Sequence, residues 1–153
     1  MANTFSKIYI QTVFAVSNRQ SLLKPDFKED LCKYITGIIT NQGQKLISIN
    51  GMPDHVHILI GLRPAMALAD LVQEIKVDSS NFVNRQKLIV GKFSWQKGYG
   101  AFSYGHSQLD TIIRYIRNQE KHHLRRTFKS EYLALLRKFD IAFEDKYVFD
   151  FVD

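Results

Sequence analysis

The sequence predicts an α+β fold of the ferredoxin-like (RRM-like) class: an antiparallel four-stranded sheet covered by helices on one face, plus added C-terminal helices. Three observations predict it. Strand-like and helix-like hydrophobic patterns alternate in the order β-α-β-β-α-β, which is the order of this fold. Only the turn-rich residues 50–54 separate the two central strand-like runs, which favours an antiparallel pair. The 153 residues, 45% of them hydrophobic, match one packed domain.

The first half of the chain supplies three strands and one helix. Residues 8–16 are rich in β-branched and aromatic residues and predict the first strand. Pro25 and Asp26 open a segment whose apolar residues recur at helical spacing until residues 41–43. Residues 46–49 and 56–60 predict the second and third strands.

The second half supplies the remaining strand and three helices. Apolar residues at positions 68, 71, 72 and 75 predict a second helix after Pro64. The aromatic, glycine-rich residues 93–105 predict a fourth strand with a bend or bulge. Residues 109–124 predict a third helix that begins near Ser107, and residues 132–139 a short fourth one. We interpret 1–153 as a single domain with a core at 5–125 and a C-terminal helix and tail at 126–153.

Charge and cysteine content limit the partners and the chemistry. The net charge is +6 and the sequence pI about 9.4, so the surface attracts anions such as nucleic acid or an acidic membrane surface. No stretch approaches the ~20 apolar residues of a membrane span, and the N-terminus lacks a signal-peptide pattern. We expect a cytoplasmic, nucleoid-associated protein with no membrane partner. The single cysteine, Cys32, excludes an intrachain disulfide and predicts a small buried hydrophobe.

Two histidines on the third strand are the first candidate for chemistry. Side chains alternate along a strand, so His55 and His57 project from one face while Val56 and Ile58 project from the other. Two neutral imidazoles on one face can bind the same metal ion. A His-x-His pair is a weak signal, because an accidental pair on a polar sheet face is the commoner explanation.

Two polar residues of the third helix form the second candidate. Tyr115 and Gln119 are four residues apart, so they lie on the same side of a helix, beside its apolar stripe. A tyrosine at the edge of the core and a solvated glutamine would explain them without any function. His122 and His123 follow, either as further ligands or as polar residues of the last helical turn.

Both candidates belong to motifs that resemble one known family. Residues 52–57, Met-Pro-Asp-His-Val-His, resemble the HUH signature (His, hydrophobic, His) with its usual preceding Met-Pro. Residues 115–119, Tyr-Ile-Arg-Asn-Gln, resemble the Tyr-x-x-x-Gln motif of the single-tyrosine HUH transposases of small prokaryotic insertion sequences. The resemblance covers most of residues 5–125.

The resemblance implies a reaction and its residues. It makes Tyr115 the nucleophile, and it makes His55, His57 and Gln119 the ligands of a divalent metal ion, Mg²⁺ or Mn²⁺. The implied enzyme cleaves and rejoins single-stranded DNA at insertion-sequence ends through a 5′-phosphotyrosine. The implied partners are single-stranded DNA with hairpin ends and a second copy of the chain, in a homodimer with composite active sites. No general base is identified for Tyr115, and Asp54 is interpreted as a turn residue.

Basic and aromatic residues are the candidates for DNA contacts. The candidates are Arg19, Lys76, Arg85, Lys97, Tyr99 and Arg114, with Lys7 and Lys92 as further basic residues. One or two of four aromatic residues are expected to stack on unpaired bases, and the others to be core: Trp95, Tyr99, Phe102 and Tyr104.

Two alternatives share part of this interpretation. A domesticated HUH nickase that acts on chromosomal palindromes would use the same chemistry without a mobile element. A non-catalytic ferredoxin-like module would bind nucleic acid through aromatic residues on its sheet. The second alternative leaves the coincidence of the two motifs unexplained.

Overall fold

A computed structural model of the chain describes residues 3–17, 23–144 and 148. The four strands form one sheet in the order β2-β3-β1-β4, and every neighbouring pair is antiparallel. The predicted ferredoxin-like class is therefore confirmed. The elements in chain order are β1 Tyr9–Ala15, α1 Pro25–Asn41, β2 Lys45–Met52, β3 His55–Gly61, α2 Leu68–Arg85, β4 Gly100–Tyr104, α3 Leu109–Arg117, α4 Gln119–His123 and α5 Phe128–Lys138.

Helices cover both faces of this sheet. Alternate residues of β3, Val56, Ile58 and Ile60, pack with the apolar residues of α1 and α2 on one face. On the other face, Leu59 of β3 packs with apolar residues of α3 and α5, such as Ile116. The added C-terminal helices thus close the face that a ferredoxin-like core alone leaves open.

The predicted third helix is two helices. It breaks at Asn118, where the backbone has φ −95° and ψ 19°, so α3 ends one residue earlier and α4 begins one residue later. The side chain of Asn50 on β2 donates to the carbonyl oxygen of Ile116 at 2.9 Å, which satisfies a carbonyl at the end of α3 and ties it to the sheet. The motif residues Tyr115 and Gln119 therefore lie on different helices.

The last helix begins earlier than predicted, at Phe128 rather than at residue 132. Thr127 caps it, because its hydroxyl accepts a hydrogen bond from the backbone N–H of Ser130 at 3.2 Å. The extra turn brings Glu131 onto the buried side of α5, where 1% of its surface is exposed.

The fourth strand is shorter than predicted and follows a bulge. Gly100 pairs with Val13 of β1, and the next contact between these segments is the isolated bridge between Trp95 and Val16. Between these two contacts β1 has only two residues, whereas the other segment has four, residues 96–99. These four residues therefore bulge out of the sheet. Gly100 permits close packing here, since a Cβ atom at this position would lie 2.6 Å from the hydroxyl oxygen of Tyr132.

The predicted C-terminal tail is described only through residue 144 and at residue 148, so most of its acidic end lies outside the described residues. Among the described helices, none has the length and apolar character needed to cross a membrane.

Candidate active site

The two histidines of β3 lie between the sheet and the C-terminal helices. His55 and His57 are fully buried, and their ring centroids are 5.1 Å apart. The ring of His55 stacks on Phe128 of α5 with centroids 3.8 Å apart. Both imidazoles project from the face opposite Val56 and Ile58, as the strand alternation predicts.

A carboxylate that sequence reasoning missed lies at the centre of this cluster. Glu131 Oε1 is 3.2 Å from His57 Nε2 and 3.6 Å from His55 Nε2. His123 Nε2 lies 3.1 Å from the same oxygen and donates to it. One signal in the sequence marks Glu131, namely its place in the buried stripe of α5 between Phe128 and Leu135, where an acidic residue is unexpected.

The charge of Glu131 is set by these neighbours. Burial by itself raises the pKa of this carboxyl, but hydrogen bonds from His123 and His57 outweigh burial and hold the pKa well below its ordinary value. Glu131 is thus an ionised carboxylate in a buried site. A buried charge of this kind requires partners with positive or partially positive atoms.

His55 presents a free ring nitrogen to the cluster. Its Nδ1 donates to Asp54 Oδ1 at 2.7 Å, which leaves Nε2 as the unprotonated nitrogen. Burial, the largest cause, lowers the pKa of His55 to about 4, so the ring is neutral at pH 7. Nε2 is buried and has no hydrogen-bond partner among the described residues. Asp54, interpreted above as a turn residue, lies in the turn and also orients His55.

His57 is oriented by a glutamine of β1. Gln11 is fully buried, its side-chain amide lies 2.8 Å from His57 Nδ1, and its Oε1 accepts from the Tyr104 hydroxyl at 2.8 Å. Exchange of the amide nitrogen and oxygen of Gln11 would let His57 Nδ1 donate instead, because the Tyr104 hydroxyl can donate or accept. That orientation frees His57 Nε2 as a metal ligand.

The predicted nucleophile reaches the same carboxylate from α3. The hydroxyl of Tyr115 donates a short hydrogen bond to Glu131 Oε2, and its ring meets that of His57 edge-on at 5.7 Å. Burial and then the charge of Glu131 raise the pKa of Tyr115 above its ordinary value. The phenol is therefore held protonated in this arrangement.

Gln119, a predicted ligand, bridges two members of the cluster. It is fully buried; Nε2 donates to Glu131 Oε2 at 3.1 Å and Oε1 accepts from His123 at 3.1 Å. The structure thus brings Tyr115, His55, His57 and Gln119 together in one chain. Glu131 Oε1 lies 3.2 and 3.6 Å from the two imidazole nitrogens that are predicted to bind metal, and the side chain of Gln119 contacts Glu131 and His123.

The donor set fits a divalent cation. One ligand atom from each of His55, His57 and Glu131 lies within 4.8 Å of the others. The 3.2 and 3.6 Å separations resemble those between neighbouring ligands around an ion with bonds of about 2.1 Å. The unpartnered Nε2 of buried His55 is a nitrogen that such an ion would satisfy.

The predicted basic DNA contacts are scattered over the molecule. Lys97 is exposed in the bulge before β4, Arg114 is exposed on α3, and Arg85 on α2 contacts the Tyr34 hydroxyl at 3.5 Å on the opposite side of the sheet. Arg19 lies outside the described residues. The two further basic residues, Lys7 and Lys92, are exposed.

Lys76 differs from the other basic candidates because it is half-buried. Its ammonium group donates to the backbone carbonyls of Gln96, at 2.8 Å, and Gly98. Burial lowers the pKa of Lys76 to about 8. Lys76 therefore holds the bulge in place in this structure. Three other residues that are predicted to contact DNA, Arg85, Lys97 and Arg114, are exposed at the surface.

Three of the four candidate stacking residues belong to the core. Trp95, Phe102 and Tyr104 are buried, whereas 36% of Tyr99 is exposed. Of these four residues, Tyr99 alone has an exposed ring, and its stacking on an unpaired base stays a prediction.

Comparison with known proteins identifies the family. A family model described as "Transposase IS200 like" matches residues 4–119. The chain belongs to the IS200-like transposase family. The ISDra2 transposase TnpA of Deinococcus radiodurans is 27% identical over 113 residues, which cover 70% of this chain and 80% of that protein.

Solved structures support the fold of this IS200-like transposase. A crystal structure of a protein described as a transposase from Deinococcus radiodurans R1 matches with a TM-score of 0.62 and 23% identity, over 78% of this chain and 95% of that one. A REP-associated tyrosine transposase bound to a REP hairpin matches with a TM-score of 0.58 and 15% identity, over 80% of this chain and 74% of that one. The family match ends at Gln119, so Glu131 of α5 lies beyond it.

Proposed function

We propose that this IS200-like transposase cleaves and rejoins single-stranded DNA at insertion-sequence ends through a covalent 5′-phosphotyrosine on Tyr115. One observation carries the proposal: the Tyr115 hydroxyl and the two HUH histidines meet at one buried carboxylate. A non-catalytic binding module needs no such cluster. We do not propose that alternative, or the domesticated nickase, because nothing in the site favours either of them.

The covalent step exchanges one phosphodiester bond for another. The Tyr115 oxygen bonds to the scissile phosphorus, and the bond from phosphorus to the 3′ oxygen breaks. The phenol gives up its proton as this bond forms, and the departing 3′ oxygen takes up one proton and leaves as a hydroxyl, so the step needs no net proton. Attack by another 3′-hydroxyl reverses the step and rejoins DNA, so no external energy source is needed.

The residues of the cluster divide the work. His55, His57 and Glu131 would hold a divalent cation, with Gln119 beside them as the further ligand that the family resemblance implies. That cation, Mn²⁺ or Mg²⁺, supplies positive charge that polarises the scissile phosphate. Manganese suits two imidazoles better than magnesium does. Asp54 keeps the His55 nitrogen free, and the burial of the site excludes water.

The proposed assembly is a homodimer acting on hairpin-bearing DNA. One chain has one candidate nucleophile and can hold one DNA end, so two joined ends require two chains. A structural neighbour is bound to a REP hairpin, which supports hairpin DNA as the substrate here. The break at Asn118 separates Tyr115 on α3 from Gln119 on α4 and Glu131 on α5, so an exchange of the segments after this break between subunits would give composite sites. Such a reaction takes place in the cytoplasm, at the nucleoid.

A covalent-adduct assay tests this proposal. Labelled single-stranded DNA with a hairpin and a flanking cleavage site is incubated with the protein and Mn²⁺ or EDTA, then separated under denaturing conditions. We expect an adduct with Mn²⁺ only, and none with Tyr115→Phe. Tyr34→Phe is the matched control, because Tyr34 stacks on Phe82 on the opposite side of the sheet. An adduct with Tyr115→Phe would refute the proposed nucleophile.

A further inference from the structure

A cavity of about 410 Å³ opens where the bulge of residues 96–99 leaves the sheet. Phe14 and Ala15 of β1 line one side of it. Val13, the bulge itself, Tyr132 and Leu136 of α5, and residues 141–144 and 148 line the rest. A cavity of this size is within the range of about 300 to 1,000 Å³ that holds small ligands. No residue of the proposed metal and tyrosine chemistry lines it.

One buried polar group points to a ligand in this cavity. Gln96 is 6% exposed, and its Nε2 has no hydrogen-bond partner within the part of the chain that the structure describes. Buried amide donors are nearly always paired, because an unpaired donor destabilises the fold. A ligand that offers an acceptor atom would satisfy Gln96.

The bulge is held in one shape from the opposite side of the sheet. The backbone N–H of Gln96 donates to the carbonyl oxygen of Ala15 at 2.8 Å. Lys76 donates to the carbonyls of Gln96 and Gly98, and its ammonium lies 5.9 Å from the centre of the Tyr99 ring. These contacts fix the positions of Gln96 and Tyr99 before any ligand arrives, which lowers the entropy cost of binding.

The cavity adjoins the candidate active site. Val13 and Ala15 of β1 are the direct cross-strand partners of His57 and His55. Tyr132, on the cavity wall, follows Glu131 in the chain. A strand of DNA whose phosphate lies at Tyr115 therefore has a neighbouring nucleotide within reach of the cavity.

The chemistry of the walls favours a base over a phosphate. The aromatic residues Tyr99, Tyr132 and Phe143 line the cavity, and any base can stack on an aromatic ring. Lys97 and Glu144 both line the cavity, so its charged side chains are of opposite sign and give no net attraction for a phosphate. Lys97 is exposed, and it can also contact the DNA backbone beside the cavity.

We propose that this cavity binds one unpaired nucleobase of the single-stranded DNA, next to the phosphate that is cleaved. Gln96 Nε2 donates to an acceptor atom of the base, and Tyr99 stacks on it. The inference rests on the proposed function for its substrate, but the cavity and its base recognition act in binding and not in the covalent step.

A base-removal scan tests the inference. Each nucleotide from the hairpin to beyond the cleavage site is replaced in turn by an abasic analogue, and binding is measured by fluorescence anisotropy in EDTA, where no adduct is expected. For the wild-type protein, loss of one base should weaken binding by roughly tenfold. In Gln96→Leu that penalty should shrink, and in the double variant Gln96→Leu, Tyr99→Ala it should disappear.

Two further variants keep the test decisive. Gln73→Leu, at an exposed position of α2, is the matched control and should keep the full penalty. Gln96→Glu replaces the donor by an acceptor and should change which base is preferred at that position. Because Gln96 Nε2 has no partner to lose, we expect Gln96→Leu to fold with wild-type thermal stability.

The possible failures are distinguishable. If loss of the base weakens binding as much in Gln96→Leu and in the double variant as in the wild type, while the Tyr115 adduct forms normally, the inference is overturned and the proposed function stands. If the binding penalty is lost in these variants but the wild-type protein forms no Tyr115 adduct, the cavity inference is supported and the proposed function is refuted. A Gln96→Leu variant that changes only the oligomeric state shows that a second copy fills the cavity, which also overturns the inference.

Discussion

The two faces of the sheet come from the same strands but contain different chemistry. On the face covered by α1 and α2, Val56, Ile58 and Ile60 continue an apolar core. On the face covered by α3 and α5, the neighbouring positions of β3 are His55 and His57, which are just as completely buried. A shift of one residue along β3 therefore separates a packing surface from a candidate active site.

This difference shows how the fold tolerates a buried polar cluster. Charged and polar groups are costly to bury unless they are paired, and the apolar face supplies stability that does not depend on them. The polar face is closed by helices added to the ferredoxin-like core, and these helices bring in Tyr115, Gln119 and Glu131. The core therefore fixes the histidines, and the added helices complete the site.

The largest expected effect contrasts two consecutive residues on opposite faces. His57→Ala should slow single-turnover adduct formation by about a thousandfold, because it removes a proposed metal ligand. Ile58→Val, on the apolar face, should leave the rate per folded molecule unchanged. Rates measured with the same labelled DNA check both. If His57→Ala formed the adduct at a rate within tenfold of the wild type, the chemistry would not depend on the polar face of β3.

The converse change should affect stability instead of chemistry. Ile58→Ala empties space in the fully buried apolar face and should lower the free energy of unfolding by about 2–5 kcal/mol. Val77→Ala, at a half-exposed site on α2, should change it by less than about 0.5 kcal/mol. Urea denaturation measures both values. Equal effects of the two substitutions would show that the apolar face does not dominate stability.

The polar face should also make stability depend on pH. The pKa of His55 is about 4 in the fold and 6.5 in the unfolded chain, so below pH 6.5 the unfolded chain takes up a proton that the fold excludes. Stability must therefore fall as pH falls. Between pH 7 and 5, in EDTA, this residue should remove about 2 kcal/mol of unfolding free energy.

Denaturation curves at pH 7 and pH 5 measure this loss, and His55→Gln should reduce it. A variant with the wild-type pH dependence would show that His55 is not the group responsible.

The smallest effect concerns the residue that orients His55. Asp54→Ala removes the acceptor of the His55 Nδ1 proton. The proton is then no longer held on Nδ1, and Nε2 is no longer kept unprotonated. Manganese affinity, measured by isothermal titration calorimetry, should fall by about tenfold. Asp70→Ala, at an exposed position of α2, should leave it unchanged. An unchanged manganese affinity in Asp54→Ala would show that Asp54 acts only in the turn.

Most of the fold was predictable because it depends on local patterns. Helical spacing located α1 and α2, and strand alternation placed both histidines on one face. The break at Asn118 was not predictable from spacing, since residues 117–123 are all polar and the apolar pattern gives no information there on whether the helix continues. A tertiary contact, from Asn50 on β2 to the Ile116 carbonyl, accompanies that break.

The centre of the candidate site was missed for a similar reason. Tyr115 and Gln119 belong to a motif, whereas Glu131 lies beyond that motif, on a helix whose first turn the hydrophobic pattern did not include. Its role depends on the packing of α5 against β3, and no spacing in the sequence encodes that distance. The threonine cap at Thr127 would have located the true start of α5.

Manganese binding to Glu131 variants shows whether Glu131 and the two histidines form one metal site beside Tyr115. We expect one Mn²⁺ per chain, lost in His55→Ala and at least tenfold weaker in Glu131→Gln. Glu29→Gln, at an exposed pair with Lys33, should bind as the wild type does. Equal manganese affinity in the wild type, Glu131→Gln and His55→Ala would show that these residues do not form a metal site.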